Sequence, residues 1–287
     1  MENITNINWY PGHMTKARRM MEDSVKLVDI VIEVLDARIP FSSKNPDIDK
    51  LAKNKFRLVI LNKADAADPQ VTDKWIAYYK EKGFTAIKTD ARNRKDVSKI
   101  PQIVRTICKD KIERDRKRGI LNRPIKAMIA GIPNSGKSTF INSLAGKASA
   151  KTGNKPGVTR GKQWIRVAKD IDLLDTPGIL WPKFEDPSVG MKLSYIGSIN
   201  DEVVERHTLC LGLLELLQKY YCNMLSERYT ITEDMSGEDA LRRIADVRKC
   251  LLKGAELDIE KAERILLDDF RSGKLGRATL DYPEDVR

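Results

Sequence analysis

A chain of 287 residues, 41% hydrophobic and 32% charged, is long enough for two domains and can bury an ordinary core without covalent staples. Its four cysteines (Cys108, Cys210, Cys222 and Cys250) form no C-x-x-C pair and suggest neither a disulfide framework nor a thiolate zinc site, a usage that fits a reducing cytoplasm. No signal-peptide pattern and no membrane-length apolar run is present. The net charge of +11 is uneven: from Asp201 onward 14 basic residues face 19 acidic ones, so the first 200 residues carry the positive excess and point to a polyanionic partner, RNA first.

In chain order, Asn8 to Lys16 places Trp9, Tyr10, a Pro-Gly turn and His13 ahead of a helix predicted over 17–27. An apolar strand over 29–35 follows, then a turn-rich loop from Asp36 to Pro46 and a short helix near Ile48. A second buried strand, 57–61, ends in Asn62-Lys63-Ala64-Asp65, at the carboxyl end where open α/β sheets bind ligands. A helix over 73–82 and a strand over 84–88 lead to Thr89-Asp90-Ala91. Past a helix from about Val97, the charged run 109–118 reads as a solvated connector. The strand 125–130, a glycine-bearing loop and another helix come next. The polar stretch 148–160 precedes two strands, 163–168 and 171–174, that end in Asp175-Thr-Pro-Gly178. From Asp186 on, strand patterns stop and helical spacing takes over at Leu209/Leu213/Leu217, Leu241/Ile244 and Ala262/Leu266, which reads as a separate bundle. The expected fold is α/β, a mostly parallel sheet with helices on both faces over 1–185, followed by a small all-α domain over 186–287.

The loop Gly131 to Thr139 (GIPNSGKST) fits the phosphate-binding pattern G-x-x-x-x-G-K-[ST], with a buried strand before it and a helix after it. Glycines let the N–H groups of Ser135, Gly136 and the residues around them close on phosphates. Lys137 brings a point charge, Ser138 a hydroxyl for Mg2+, and the helix at Ser138 and Thr139 its positive end. Asn62-Lys63-Ala64-Asp65 names the base: a carboxylate accepts both guanine N1–H and N2–H2, a pair adenine lacks, while Asn62 braces the loop and the Lys63 stem lies along the purine face. Asp90 and Ala91 are a loose match for a second base-contacting loop. Asp175 is placed to reach Mg2+ through water, and the Gly178 N–H to meet the γ-phosphate. Thr159 is either a mobile Mg2+-linked threonine or part of a flexible basic loop.

These phrases, with Trp9-Tyr-Pro-Gly-His13-Met-x-Lys16-Ala17, Asp36-Ala-Arg-Ile-Pro-x-Ser and Asn45-Pro46, closely resemble the bacterial ribosome biogenesis GTPase A family over the whole chain. The guanine motif precedes the phosphate loop, so the resemblance implies a circularly permuted P-loop G domain followed by a helical RNA- and ribosome-binding domain. It implies a cytoplasmic GTPase, bound to no membrane, that binds the large ribosomal subunit precursor and its rRNA, promotes late assembly, and hydrolyses GTP faster on that particle. A monomer away from the ribosome is expected. The family has a hydrophobic residue where many G proteins place a water-orienting glutamine, and here Ile179 stands after Gly178. Intrinsic hydrolysis should then be slow, near the roughly 10⁻⁴ per second of unassisted G proteins. Two substitutes suggest themselves. Asn134 could hold a K+ beside the phosphates, as potassium-dependent relatives do, or be an ordinary loop residue. His13 could be delivered to the reaction when RNA orders the N-terminus, or serve only in docking. His207 reads as a surface or core residue.

Two basic groups are candidate rRNA phosphate contacts: Lys147, Lys151, Lys155, Arg160 and Lys162, and Arg114, Arg116, Lys117 and Arg118. Arg242, Arg243, Arg248, Lys249, Arg271, Lys274 and Arg277 are either a third RNA contact or a solvated face. The alternative function is a GTP-gated rRNA-binding placeholder in which hydrolysis is incidental.

Overall fold

The computed structural model describes residues 12–146, 163–181, 184, 186–201 and 203–286. Helix α1 (Gly12–Lys26) leads to strand β1 (Ile30–Asp36), α2 (Pro46–Leu51), β2 (Phe56–Asn62), α3 (Pro69–Glu81) and β3 (Thr85–Thr89). Helices α4 (Arg94–Val97), α5 (Ile100–Ile107) and α6 (Lys109–Lys117) precede β4 (Ile125–Ala130), α7 (Lys137–Ala145), β5 (Gln163–Ala168) and β6 (Ile171–Asp175). Four α-helices follow, α8 (Pro187–Tyr195), α9 (Arg206–Tyr229), α10 (Gly237–Val247) and α11 (Ile259–Ser272), and a short 3-10 helix, Pro283–Asp285, completes the described chain.

The six strands form one sheet in the order β3-β2-β1-β4-β6-β5, parallel except for β5 against β6. All seven residues of β1 are buried, as a strand covered on both faces requires. Ile30, Ile32 and Val34 pack with Val97, Ile100, Val104, Phe140 and Ile141 on one face. On the other, Val31 meets Met21 and Val25 of α1 and Val28 just beyond it, and Leu35 meets Val71, Trp75 and Tyr79 of α3. The register pairs Asp36 with Asn62 and Asn62 with Thr89, so the polar strand ends converge on one edge. That is where a parallel sheet presents its ligand-binding loops.

Two expectations are refined. The run 109–118, read as a solvated connector, is helical: it forms α6, in which no residue is fully buried. Lys111 pairs with Asp115 at 2.5 Å and Lys109 with Glu113 at 3.9 Å, the i,i+4 pairing that supports a highly charged helix with little apolar surface to bury. The first helix also starts earlier than its apolar pattern, with Gly12 and His13 in the opening turn of α1.

The helical region buries Leu209, Leu213, Leu217, Leu241, Ile244, Ala262 and Leu266, and the same cluster takes in Ile39, Ile132 and Leu180 from loops at the sheet's ligand edge. The chain end returns to the sheet: the Leu280 N–H donates to the Arg38 carbonyl at 2.7 Å, and Trp75 Nε1 donates to the Asp281 carbonyl at 2.9 Å. Asp281 in turn accepts from the Ser42 N–H and from Lys192 of α8.

His207 on α9 sits between Glu263 of α11 (Nδ1 to Oε1, 2.7 Å) and Glu238 of α10 (Nε2 to Oε1, 2.8 Å). The bond to Glu263, then that to Glu238, raises its pKa. A raised histidine stabilises fully below its ordinary value and loses that contribution as pH rises through the folded value. The melting temperature should therefore fall as pH rises past the ordinary histidine range, and His207→Gln should flatten that slope in thermal melts.

Candidate nucleotide site

Gly131 and Gly136 both have positive φ, +150° and +92°. A Cβ on Gly131 would collide with the Val34 carbonyl oxygen, and one on Gly136 with the Asn62 side chain, so the loop closes tightly only because both are glycine. Lys137 opens α7 with its side chain buried, and its Nζ donates to the Ile132 carbonyl at 2.7 Å. Burial lowers its pKa to about 8, against the raising effect of Asp175, with Lys63 nearby lowering it further. Ser138 and Thr139 follow in the first helical turn, where backbone N–H groups lack intrahelical partners. Gly178 lies directly over this lysine: a Cβ there would sit 2.8 Å from Lys137 Nζ and 2.8 Å from the Pro133 nitrogen.

Two buried oxygens here lack partners, Ser135 Oγ and Asp175 Oδ1. Burial pushes the Asp175 carboxyl up to about 6, opposed by Lys137 and by the Thr176 N–H. A buried carboxylate oxygen with nothing to accept from is costly unless a ligand completes it. Together with the Ser138 hydroxyl it makes a hard-oxygen donor set, and the residues fit Mg2+.

At the neighbouring strand ends, Asn62 does two jobs. Its Nδ2 donates to the Ser135 carbonyl at 2.8 Å and its Oδ1 accepts from the Ala91 N–H at 2.9 Å, tying the phosphate loop to the loops that follow β2 and β3. Lys63, at φ +58°, donates to the Asn134 carbonyl at 2.7 Å, and the Ala64 N–H donates to the Thr89 carbonyl. The Asp65 carboxylate pairs with Arg92, which also holds Asp90 through Nε at 3.0 Å. Arg92 is not among the residues the sequence singles out, because its only local signal is a cation two residues after Asp90. Asn134 stands at φ +58° and its Nδ2 donates to the Gly197 carbonyl just past α8 at 2.5 Å. Thr159 lies outside the described residues, as do Lys147, Lys151, Lys155, Arg160 and Lys162, and nothing is described of the His13 side chain.

Ile179 is only 2% exposed and packs with Met21, Val25, Ile48, Met128 and Leu174 beneath α1. Its N–H donates to the Gly131 carbonyl at 3.3 Å, and its carbonyl accepts from Asn45 Nδ2 at 3.3 Å. The side chain therefore enters the core rather than the phosphate site. Leu180, the next residue, joins the cluster of the helical region. Asn45 also caps α2 by accepting from the Asp47 N–H, which gives the Asn45-Pro46 phrase a structural role its sequence did not reveal. Arg271 is a correction to the basic face: it pairs with Asp201 and donates to the Ser194 and Tyr195 carbonyls, so it is committed to the joint with α8.

A mostly parallel α/β sheet with a phosphate loop, a buried Mg2+-type carboxylate and a guanine-type loop on one edge defines a P-loop GTPase, an enzyme that hydrolyses GTP. A family match described as a 50S ribosome-binding GTPase covers residues 126–235. The chain is 46% identical to the ribosome biogenesis GTPase A of Bacillus cereus, over 97% of this chain and 95% of that protein. It is equally identical, at 46%, to that of Priestia megaterium, over 98% of each. Two solved structures of YlqF from Thermotoga maritima are similar: the GDP-bound form at TM-score 0.68 and 28% identity, over 93% of this chain and 100% of that one, and the GNP-bound form at TM-score 0.66 and 29% identity, over 94% and 100%. The chain belongs to the ribosome biogenesis GTPase A family.

Proposed function

We propose that this GTPase binds the large ribosomal subunit precursor through its rRNA, promotes late assembly, and hydrolyses GTP with stimulation by that particle. The observation carrying the reading is the pairing of an intact phosphate and Mg2+ site with Ile179 turned into the core: the substrate can be held, and no side chain at that position orients the attacking water. Mg2+, held by Ser138 and through water by Asp175, with Thr159 joining in the triphosphate state, would neutralise the charge that develops on the phosphates. Around it, Ser135, Gly136, Thr139 and Gly178 offer backbone N–H groups to phosphate, Lys137 moves from Ile132 to a phosphate oxygen, and Asp65 reads guanine beside Asn62, Lys63, Ala64, Asp90 and Ala91.

The chain order, with the base-loop strand β2 before the phosphate-loop strand β4, supports a circularly permuted G domain over 1–185 joined to an RNA-binding helical domain over 186–287. Permutation leaves Gly178 two residues before Leu180, whose side chain belongs to the helical core, so a γ-phosphate contact at Gly178 is passed on over that short span. A K+ at Asn134 and a reactive His13 remain the two routes by which the missing glutamine is replaced. The chain acts in the cytoplasm as a monomer off the ribosome; no helix among the described residues is long and apolar enough to cross a membrane.

A second reading, a GTP-gated placeholder on rRNA, is favoured by the same Ile179 burial. Binding is tested by titrating the GTP-analogue form against purified large-subunit precursor and small subunit at several salt concentrations. Preference for the large particle and a loss of about 10³-fold or more between 50 and 200 mM salt are expected if six or more phosphates are contacted. Equal binding to the small subunit, or indifference to salt, would contradict the assignment.

A further inference from the structure

The base-contacting loop is wired to α11 by a chain of charges whose middle members, Asp36 and Arg38, are out of reach of solvent. Lys63 Nζ lies 3.0 Å from Asp36 Oδ2. Asp36 receives a fork from Arg38, Nε to Oδ1 at 2.9 Å and Nη2 to Oδ2 at 2.8 Å. The remaining Arg38 nitrogen, Nη1, donates to the carbonyls of Phe270 at 3.1 Å and Arg271 at 3.2 Å, in the last turn of α11. Asp36 is fully buried and Arg38 is 1% exposed, and the guanidinium lies 5.4 Å from the Phe270 ring centre. Those carbonyls form the negative end of the helix, so α11 offers a cation its preferred acceptors without needing a side chain. The same helix end touches the loop a second time: a Cβ on Gly273 would sit 3.2 Å from Ala66 Cβ, and the Ala66 carbonyl accepts from the Ala278 N–H at 3.1 Å.

We infer that Asp36 and Arg38 are positioning residues for nucleotide binding, and that they couple the seat of α11 to the grip of Lys63 and its loop on the guanine nucleotide. Lys63 is held on one side by the phosphate loop, through Asn134 O, and on the other by Asp36. Asp36 is held by an arginine whose remaining contacts belong to α11. A shift of that helix end therefore leaves the buried Arg38 Nη1 without its acceptors, which a closely packed interior does not absorb gradually. Coupling of this kind is reciprocal: if the seat of α11 alters nucleotide affinity, the nucleotide must alter the stability of that seat. A ribosomal particle that engages the helical region would thereby change how long GDP stays bound.

This rests on the reading of 62–65 as the base loop, and the test separates the two. Asp65→Asn replaces an acceptor by a donor facing the C2 substituent of the base, so it should exchange preference for GDP for preference for xanthosine diphosphate; if it does not, the base-loop reading itself fails. In the parent chain, hydrogen exchange over 266–277 is compared with and without GDP, and release of a fluorescent GDP is timed against single-turnover GTP cleavage. GDP should slow exchange there several-fold. Arg38→Lys, which keeps the charge and loses the fork, should raise the ratio of GDP release to cleavage about tenfold and abolish the GDP-dependent protection. The double variant Asp36→Asn with Arg38→Met, which removes both buried charges together and is the safer one to fold, should do the same. Unchanged exchange in the parent, or folded variants that release GDP within twofold of it, would overturn the inference.

Discussion

Asp175→Asn is expected to give a more stable protein that no longer cleaves GTP at a useful rate. The Asp175 carboxyl is buried, one of its oxygens has no partner, and its pKa is raised from the ordinary 3.8 to about 6. The fold therefore favours the protonated form, and this contribution to stability is full below the ordinary carboxylate range and lost as pH rises through about 6. At about 1.4 kcal/mol for each tenfold change in proton affinity, the rise corresponds to about 3 kcal/mol, an upper bound on what the neutral isostere returns at pH 8. At pH 4 and below the parent and variant should converge. Urea melts at pH 4 and pH 8 measure the difference, and equal stability at both would contradict it. Cleavage should fall about 10²–10³-fold, because the charge needed opposite the metal and phosphates is gone. The buried charge is thus held for function at a cost to stability, the pattern expected of perturbed groups in active sites. Affinity for Mg2+ with GTP should weaken in the parent as pH falls below about 6.

Ile179→Gln is expected to weaken the fold and not to speed hydrolysis. A glutamine there enters the apolar pocket formed by Met21, Val25, Ile48, Met128 and Leu174. Loss of a buried isoleucine and burial of an unpaired amide together cost about 3 kcal/mol or more. The backbone is fixed on both sides, by Gly131 and by Asn45, so the side chain has no easy route to the phosphates. Chemical denaturation and single-turnover cleavage without ribosomal particles check this. A variant as stable as the parent and ten times faster would mean that the side chain reaches the site after all.

The phosphate loop was legible because its spacing is its mechanism: the glycines, Lys137 and the flanking strand and helix all lie within about twenty residues. The buried strands were legible for a similar reason, since a run such as Ile30 to Leu35 has little use outside a two-sided sheet. That the solvated run 109–118 is itself the helix α6 is not legible, because alternating charges carry no apolar stripe and only the i,i+4 pairs mark it as helical. Which way Ile179 and Leu180 face could not be read, because both neighbours are apolar and the two cores they enter are built from distant segments. The contact of Arg38 with Phe270 spans 232 residues and leaves no local pattern. Composition likewise placed Arg271 among solvent-facing basic residues, where its pairing with Asp201 was invisible.

On the proposed function, the ribosomal particle supplies what Ile179 cannot. The most direct test is GTP turnover with and without purified large ribosomal subunits, in potassium and in sodium, for the parent chain and for His13→Ala. Stimulation on the order of 10²-fold or more is predicted for the parent in potassium. If His13→Ala loses it while still binding the particle, His13 acts in or next to the reaction; if the variant keeps it and sodium abolishes it, the cation beside Asn134 does. No stimulation of the parent in either salt would contradict the proposed function and leave a GTP-gated binder in its place.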